Sequence, residues 1–525
     1  MKQALVALCS AVLLVSCATP TREQSLVNRA VEAMGGAERM AGIKTIAFRG
    51  TAKYWEPEQS DVPGGEARFI VDAPFEGIYD PSSRAIRIDW EKNMQYIPRS
   101  FKYSEIVTPG AGYVIGVDSS GRNAQSLQSS PPAHTMSSWR LAAAQRELLR
   151  GAVTGLVMAM QANPDAVRPA NDVVLQGRSL PAASFRDIIV AFDPQTGLPA
   201  LARTLDYDNI WGDVNFDYVY SDWREFSGVK VPVSRKYEAN GQLIQDVRFT
   251  ELRYNEPIDA SRLQIPPAAL AGAAKPAARN VPYQWVLRRQ NVGFYMDSEN
   301  VSYDARASQG LRLQEIAPGV HQVQGGTHNS LVVEMSDHLI VLDAPITDAQ
   351  SVWLVGQTRA RFPGKPIRWL ALSHHHSDHS GGLRGILAEG GATLVVGQGA
   401  GAHFRRVLDA PNSRNPDVPP RSYHMVPILE VPESHVMSDS AGRQVIVYVV
   451  ENPHSKAMLM GWIPHAKLGY ITDLWTPGPP LPAKPNPGLA SVVNTVKRAG
   501  LQPDRFAGGH GSTADYQMLA RLVGQ

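Results

Sequence analysis

Period-two alternation of apolar and polar residues dominates the first half of the chain. Residues 43–54, 67–71, 85–89, 185–192, 200–207, 216–223, 231–237 and 245–254 each read as strands, with turns such as Asn240-Gly241 between them. Helical spacing interrupts this pattern twice, in a short amphipathic segment over 25–40 and in a longer one over 139–161 that opens after Ser137 and Ser138. Residues 23–266 are therefore expected to form a β-rich accessory domain, a mainly antiparallel, curved sheet packed on a helix.

Between 267 and 282 the chain is rich in alanine and proline, and Pro267, Pro276 and Pro282 break any regular element, so this stretch is the predicted linker. Residues 283–311 carry no clear pattern and are read as a segment wrapping the second domain. From 313 onward the pattern changes. Residues 319–323 and 329–334 alternate like the strands of a hairpin and lead to an apolar run ended by Asp343, while 367–372 reads as a buried strand and 383–387 as the start of a helix. The fold class predicted is α+β, with a second domain over 313–525.

At 525 residues the chain has room for two or more domains, each with its own core. Its 51 basic residues against 49 acidic ones make no field of the kind nucleic-acid binders use, so nucleic acid is not an expected partner. Its only cysteines, Cys9 and Cys17, leave the rest of the chain without a thiolate nucleophile, a disulfide or a sulfur ligand. Both fall in an N-terminal processing signal: Lys2 gives a positive start, residues 4–16 are largely apolar, and Leu14-Val15-Ser16-Cys17 ends the run. The run is too short to span a bilayer, which takes about 20 residues. The tetrapeptide resembles a bacterial lipobox, which implies a signal over 1–17 and lipidation of Cys17; an ordinary secretory signal cut nearby is the other reading. Ala18, where an aspartate is absent, resembles lipoproteins sorted to the outer membrane. The expected location is thus the bacterial cell envelope, with the chain lipid-anchored to the membrane and facing the periplasm.

Thirteen of the fourteen histidines follow residue 320, so any imidazole-built site belongs to the second domain. The run Ser373-His374-His375-His376-Ser377-Asp378-His379-Ser380-Gly381-Gly382 places four good metal ligands where strand gives way to helix. Alternate side chains of an extended segment point the same way, so His374 and His376 can grip one ion while His375 faces away, packed or solvated. Asp378 and His379 lie in the turn, placed for a second ion.

Five landmarks follow in order: Asp343 at a strand end, the 374–379 motif, Asn452-Pro453-His454-Ser455, Ile471-Thr472-Asp473 and Gly508-Gly509-His510-Gly511. Together they resemble the metallo-β-lactamase superfamily over roughly 310–525. The resemblance implies an αβ/βα four-layer sandwich holding two Zn²⁺ ions, other divalent metals being the alternative. It also implies His454 as the third imidazole of one site, Asp473 as the bridge, and His510 with Asp378 and His379 at the other. Asp343 is then a support that orients the ligand loop, or simply a strand-end turn residue. The accessory domain resembles the half-barrel of periplasmic lipoprotein carriers, through Ala33-Met34-Gly35-Gly36 and Gly228-Val229-Lys230-Val231-Pro232; an unrelated spacer or shield is the other reading.

The function expected is a zinc-dependent hydrolase of small-molecule esters, lactones or thioesters, using a metal-bridging hydroxide that Asp378 orients. Asp473 resembles the thioesterase, lactonase and phosphodiesterase branches more than true β-lactamases. A histidine at 376, where the oxygen-reducing di-iron relatives carry glutamate, favours zinc and hydrolysis. A β-lactam hydrolase or a phosphodiesterase of the same fold is the alternative. An envelope ligand-binding lipoprotein without catalysis is the alternative of another class, and the intact ligand set argues against it. His403, His424 and His435 lack ligand spacing and read as surface residues, and His465 as a hairpin turn. His328 either overhangs the site from a hairpin loop or is a plain turn residue, and Trp475 either lines the cleft or sits in the core.

Overall fold

The structure, a computed structural model, describes residues 19–96, 98–119, 132–277, 283–293, 297 and 310–524, so the expectations for the signal and Cys17 fall outside it. The first helix, Arg22–Ala33, begins with a capping box in which Thr21 accepts from the Gln24 N–H and the Gln24 side chain reaches back to Thr21. It stops short of residue 40, the expected end. Gly35 and Gly36 take φ +120° and +93°, and a Cβ on Gly35 would lie 2.2 Å from the Gly228 carbonyl oxygen, so the chain turns there into a short helix, Ala37–Ala41.

Thirteen strands form one sheet, antiparallel throughout. The long strand Ile46–Glu56 lies between Arg68–Asp80 and Gln242–Tyr254, which brings the start of the domain beside its end. The single strand expected over 185–192 is instead a hairpin, Ala182–Phe185 with Ile188–Phe192, turned by Arg186 at φ +58°. The long helix expected over 139–161 is likewise two, Ser138–Gly151 and Val153–Ala162. The sheet explains the break. Tyr220 donates its hydroxyl to the Arg150 carbonyl at 2.6 Å, and Arg235 donates to that of Gly151 at 2.9 Å, taking the acceptors the next helical turn needs.

One buried cation stands out in this domain. Lys92 is 3% exposed, its ammonium 5.4 Å from the ring centres of both Trp90 and Tyr103, and burial pushes it down from 10.5 to about 8. Because the folded value lies below the unfolded one, the folded protein holds fewer protons between about pH 8 and 10.5, and stability rises with pH across that window. Below pH 8 the full cost of about 3 kcal/mol is present. Lys92→Met is expected to raise the urea midpoint at pH 7 and to remove the part of the pH slope that wild type shows above pH 8. Equal slopes in both proteins would contradict this.

The second domain carries a seven-stranded and a six-stranded sheet. Alternation along each strand sorts its side chains between layers. Leu339 and Val341 join Leu354, Val355, Leu387, Phe404 and Val407 of the covering helices, whereas Ile340 and Leu342 join Val445, Leu459, Leu468 and Ala507 of the other sheet. Leu394 and Val396 divide from Val395 in the same way. Beyond the second sheet, helices Pro487–Arg498 and Tyr516–Gly524 bury Leu489, Val492, Val496 and Leu519 against Ile471 and Phe506. Helix, sheet, sheet and helix thus stack as the four layers expected, and the fold is α+β with a large antiparallel domain before them. Trp475 belongs to this outer core.

Polar contacts lock the two domains. Arg384, fully buried, donates to the carbonyls of Asn209, Ile210 and Val407, and Tyr207 donates to Asp348 at 2.9 Å. Of the segment 283–311, residues 294–296 and 298–309 lie outside the described residues, and its helix Tyr283–Asn291 wedges between the two domains, with Trp285 and Val286 packed on Ala142, Ala143 and Ile346. Its Arg288 is buried against Glu56, Glu58 and Asp208. The Ala/Pro-rich stretch before it contains a short helix, Pro267–Leu270. Among the described residues no helix is long and apolar enough to cross a membrane.

Candidate metal centre

The site forms where strands Leu339–Leu342, Ile367–Ala371, Leu468–Ile471 and Arg505–Gly508 all end. Asp343, His374, Asp473 and His510 lie just beyond those ends, so pairing of parallel strands delivers distant residues to one edge. Asp343 and Asp473 both sit at φ near +60°, a left-handed conformation that aspartate tolerates better than most residues. After the ligand loop, Gly381 and Gly382 let the chain press on the neighbouring segment: a Cβ on Gly382 would lie 2.3 Å from the Ser351 hydroxyl.

Asp473 is the hub. Its Oδ2 stands 2.8 Å from His454 Nε2 and 3.3 Å from His374 Nε2, and its Oδ1 stands 2.7 Å from His510 Nε2 and 3.0 Å from His379 Nε2. His454 Nε2 is also 3.1 Å from His376 Nδ1. Two ligand groups result, with donor atoms mutually within 4.8 Å: His374, His376, His454 and Asp473 in one, and His328, His379 and His510 in the other. The structure therefore brings together six of the seven residues read as ligands, and sets Asp378 slightly apart. Asp378 accepts from Gln59 Nε2 at 2.8 Å and lies 3.4 Å from His328 Nε2.

The ring nitrogens that face away from the centre have partners of their own, which decides the tautomers. His376 Nε2 meets the Ser60 carbonyl at 3.0 Å and His510 Nδ1 meets that of Thr327 at 3.1 Å; a carbonyl only accepts, so each of these nitrogens carries the proton and the opposite one keeps its lone pair. Asp343 lies beneath, accepting from the Ser373 N–H and hydroxyl at 2.6 and 2.9 Å and from Tyr470 at 3.0 Å, and facing His379 Nδ1 at 3.3 Å.

Burial lowers His374 to about 4, His328 to about 3 and His376 well below the usual histidine value, which keeps these imidazoles neutral. Burial by itself would raise Asp473, yet the facing His379, His374 and His454 hold it well below the carboxylate range. Burial would lower His379 too, but Asp473, Asp343 and Asp378 together hold it well above normal. Neutral imidazoles at His328, His374 and His376 beside anionic Asp378 and Asp473 form a pocket that suits a cation, the role the proton on His379 fills here, and this nitrogen and oxygen donor set fits a divalent metal.

His375, the conspicuous middle of the run, is buried rather than solvated. Its Nε2 meets the Ser60 carbonyl at 3.0 Å and its Nδ1 the Ser455 hydroxyl at 3.3 Å. His424 is exposed and His465 sits in the turn between two strands, whereas His403 and His435 are half-buried. The Pro-rich stretch after Asp473 braces the His510 loop, the Pro477 carbonyl accepting from the Ser512 N–H at 2.7 Å. Sequence reasoning missed the weight of His328, whose only signal was its place among Gly325-Gly326-Thr327 before a strand. It also missed Gln59, Ser60, Arg68 and Tyr96, which come from the first domain and carried no signal at all.

Residues 323–515 match the metallo-beta-lactamase superfamily. A 78-residue stretch is 33% identical to an alkyl/aryl-sulfatase of Saccharomyces cerevisiae, covering 15% of this chain and 12% of that protein's length. Similar solved structures include a metallo-beta-lactamase from Hirschia baltica, at 16% identity and TM-score 0.32 over 41% of this chain and 97% of that one. They also include the metallo-beta-lactamase FIM-1 from Pseudomonas aeruginosa in a mono-zinc form, at 17% identity and TM-score 0.31 over 41% and 93%. A flavodiiron core from a Synechocystis species matches at 15% identity and TM-score 0.33 over 41% and 60%. Residues 323–515 form a metallo-beta-lactamase superfamily domain whose clustered histidines and aspartates suit a divalent metal.

Proposed function

We propose that the protein is a metal-dependent hydrolase with two adjoining zinc sites that share Asp473. The observation that carries this reading is the convergence of His374 and His454 on one carboxylate oxygen of Asp473, with His376 beside His454, and of His379 and His510 on the other oxygen. His374, His376 and His454 would hold one ion, and His379 and His510 the second, with Asp378 or His328 completing it. Bound there, the metal would lower the pKa of water toward neutrality and polarise the oxygen that gains charge. The protein's own share is to keep His328, His374 and His376 neutral and to orient the imidazoles. Asp378, held well below the usual carboxylate range despite its burial, would be the acceptor that orients the attacking water.

The substrates proposed are small esters, lactones or thioesters. A second reading, hydrolysis of alkyl or aryl sulfate esters, is favoured by the stretch similar to the yeast sulfatase and by Arg68, a cation whose side chain stays 14% exposed beside His454. A panel of carboxylic ester, lactone, thioester, aryl sulfate, phosphodiester and β-lactam tests both. Turnover of at least one acyl substrate or of the sulfate is expected, lost on chelation and restored by Zn²⁺; turnover of none, or turnover that survives chelation, would overturn the proposal. The lipobox-like Leu14-Val15-Ser16-Cys17 supports a lipid-anchored place in the cell envelope, a reading that fails if Cys17→Ala leaves membrane association unchanged.

A further inference from the structure

We infer that the first domain supplies the outer hydrogen-bond shell of the three-histidine site, with Tyr96 as a positioning residue for His454 and the Ser60 carbonyl as the acceptor that orients His376. This rests on the metal reading above. The imidazoles of the other group are braced from within the second domain, His379 by Asp343 and His510 by Thr327. Two of the three in the first group are not. Tyr96 Oη lies 2.9 Å from His454 Nδ1, and the Ser60 carbonyl accepts from His376 Nε2 at 3.0 Å.

Several first-domain contacts gather beside His454. Arg68 stacks over the Tyr96 ring at 4.1 Å, pairs with Asp61 and donates to the His454 carbonyl at 3.4 Å. The Asp61 carbonyl in turn accepts from the Lys456 N–H at 2.9 Å, so residues 60–61 run beside 454–456. Gln59 meets Asp378 from the same loop. A tyrosine hydroxyl has one proton and two acceptor lone pairs, so it can partner whichever nitrogen state His454 presents. When Nε2 gives its lone pair to a metal, Nδ1 carries the proton and the Tyr96 oxygen accepts it. Removing that acceptor frees the ring to rotate and leaves the N–H unpaired in a part-buried place.

Tyr96→Phe in the full chain keeps the ring under Arg68 and deletes only the hydroxyl. Zn²⁺ titration against a competing chelator is expected to show one site weakened about 10- to 100-fold and the other little changed, with the melting temperature retained. The Co²⁺-substituted variant is expected to show a shifted visible absorption band, a signature that a purely structural role would not move. Tyr448→Phe, on the strand Gln444–Val449, is the control. If wild type binds two ions and Tyr96→Phe binds both with wild-type affinity and spectrum, the inference falls while the functional proposal stands. If wild type binds no metal, both fall.

Discussion

Asparagine in place of Asp473 is expected to slow hydrolysis by about 10²- to 10³-fold while leaving unfolding cooperative and near the wild-type midpoint. Asp473 faces four imidazole nitrogens, at 2.7, 2.8, 3.0 and 3.3 Å, one oxygen toward each group of rings. The amide has nearly the same shape, so packing survives. It also tolerates the φ of +59° that most side chains would not. What it lacks is the charge that holds a cation between the two sets of rings. His376→Ala should act in the same direction by a different route, since it removes one ligand and leaves the Ser60 carbonyl with His375 as its partner. Steady-state kinetics and urea unfolding on both variants check this; activity within about threefold of wild type would remove either residue from the centre.

Arg288→Ala is expected to cost about 3–5 kcal/mol of stability, because it strands buried carboxylates. Arg288 reaches Glu56 at 2.7 Å, Glu58 at 2.6 Å and Asp208, all of them buried. Arg289 adds a second guanidinium, 3.4 Å from Glu56. Burial, with Asp208 and Glu56 nearby, pushes Glu58 well above the carboxylate range in spite of Arg288, so Glu58 is the group that takes a proton and lends it to Asp208. Two guanidiniums then balance two carboxylates. The same residues anchor the loop that carries Gln59 and Ser60 and the turn that carries Asn209, so the surviving folded fraction should also bind metal less tightly. A midpoint change equivalent to less than about 1 kcal/mol would contradict this.

The second domain was legible because both its core and its chemistry are local in sequence. Strands such as 339–342 are apolar on both faces, as buried parallel strands must be, and the ligands of 374–379 lie within six residues of one another. His454, Asp473 and His510 each follow a strand, so their convergence needed only the order of landmarks. The first domain was legible as strands but not as part of the site. Gln59 meets Asp378 across a separation of 319 residues, and Tyr96 meets His454 across 358, distances over which no periodicity speaks. The break at Ala152 was hidden for a related reason, since the helix pattern runs on unbroken and the side chains that interrupt it, Tyr220 and Arg235, belong to the sheet. Asp378 and His379, expected in the turn, sit instead in a short helix, Ser377–Ser380, and the hold of Gln59 on Asp378 is something local spacing cannot reveal.

The central claim is that the two ligand groups sharing Asp473 hold two ions, and elemental analysis of the purified full chain after dialysis against metal-free buffer tests it most directly. The account predicts about two zinc or equivalent divalent ions per wild-type chain, and fewer in Asp473→Asn. Fewer than one ion per wild-type chain, with no uptake when Zn²⁺ is supplied, would contradict it.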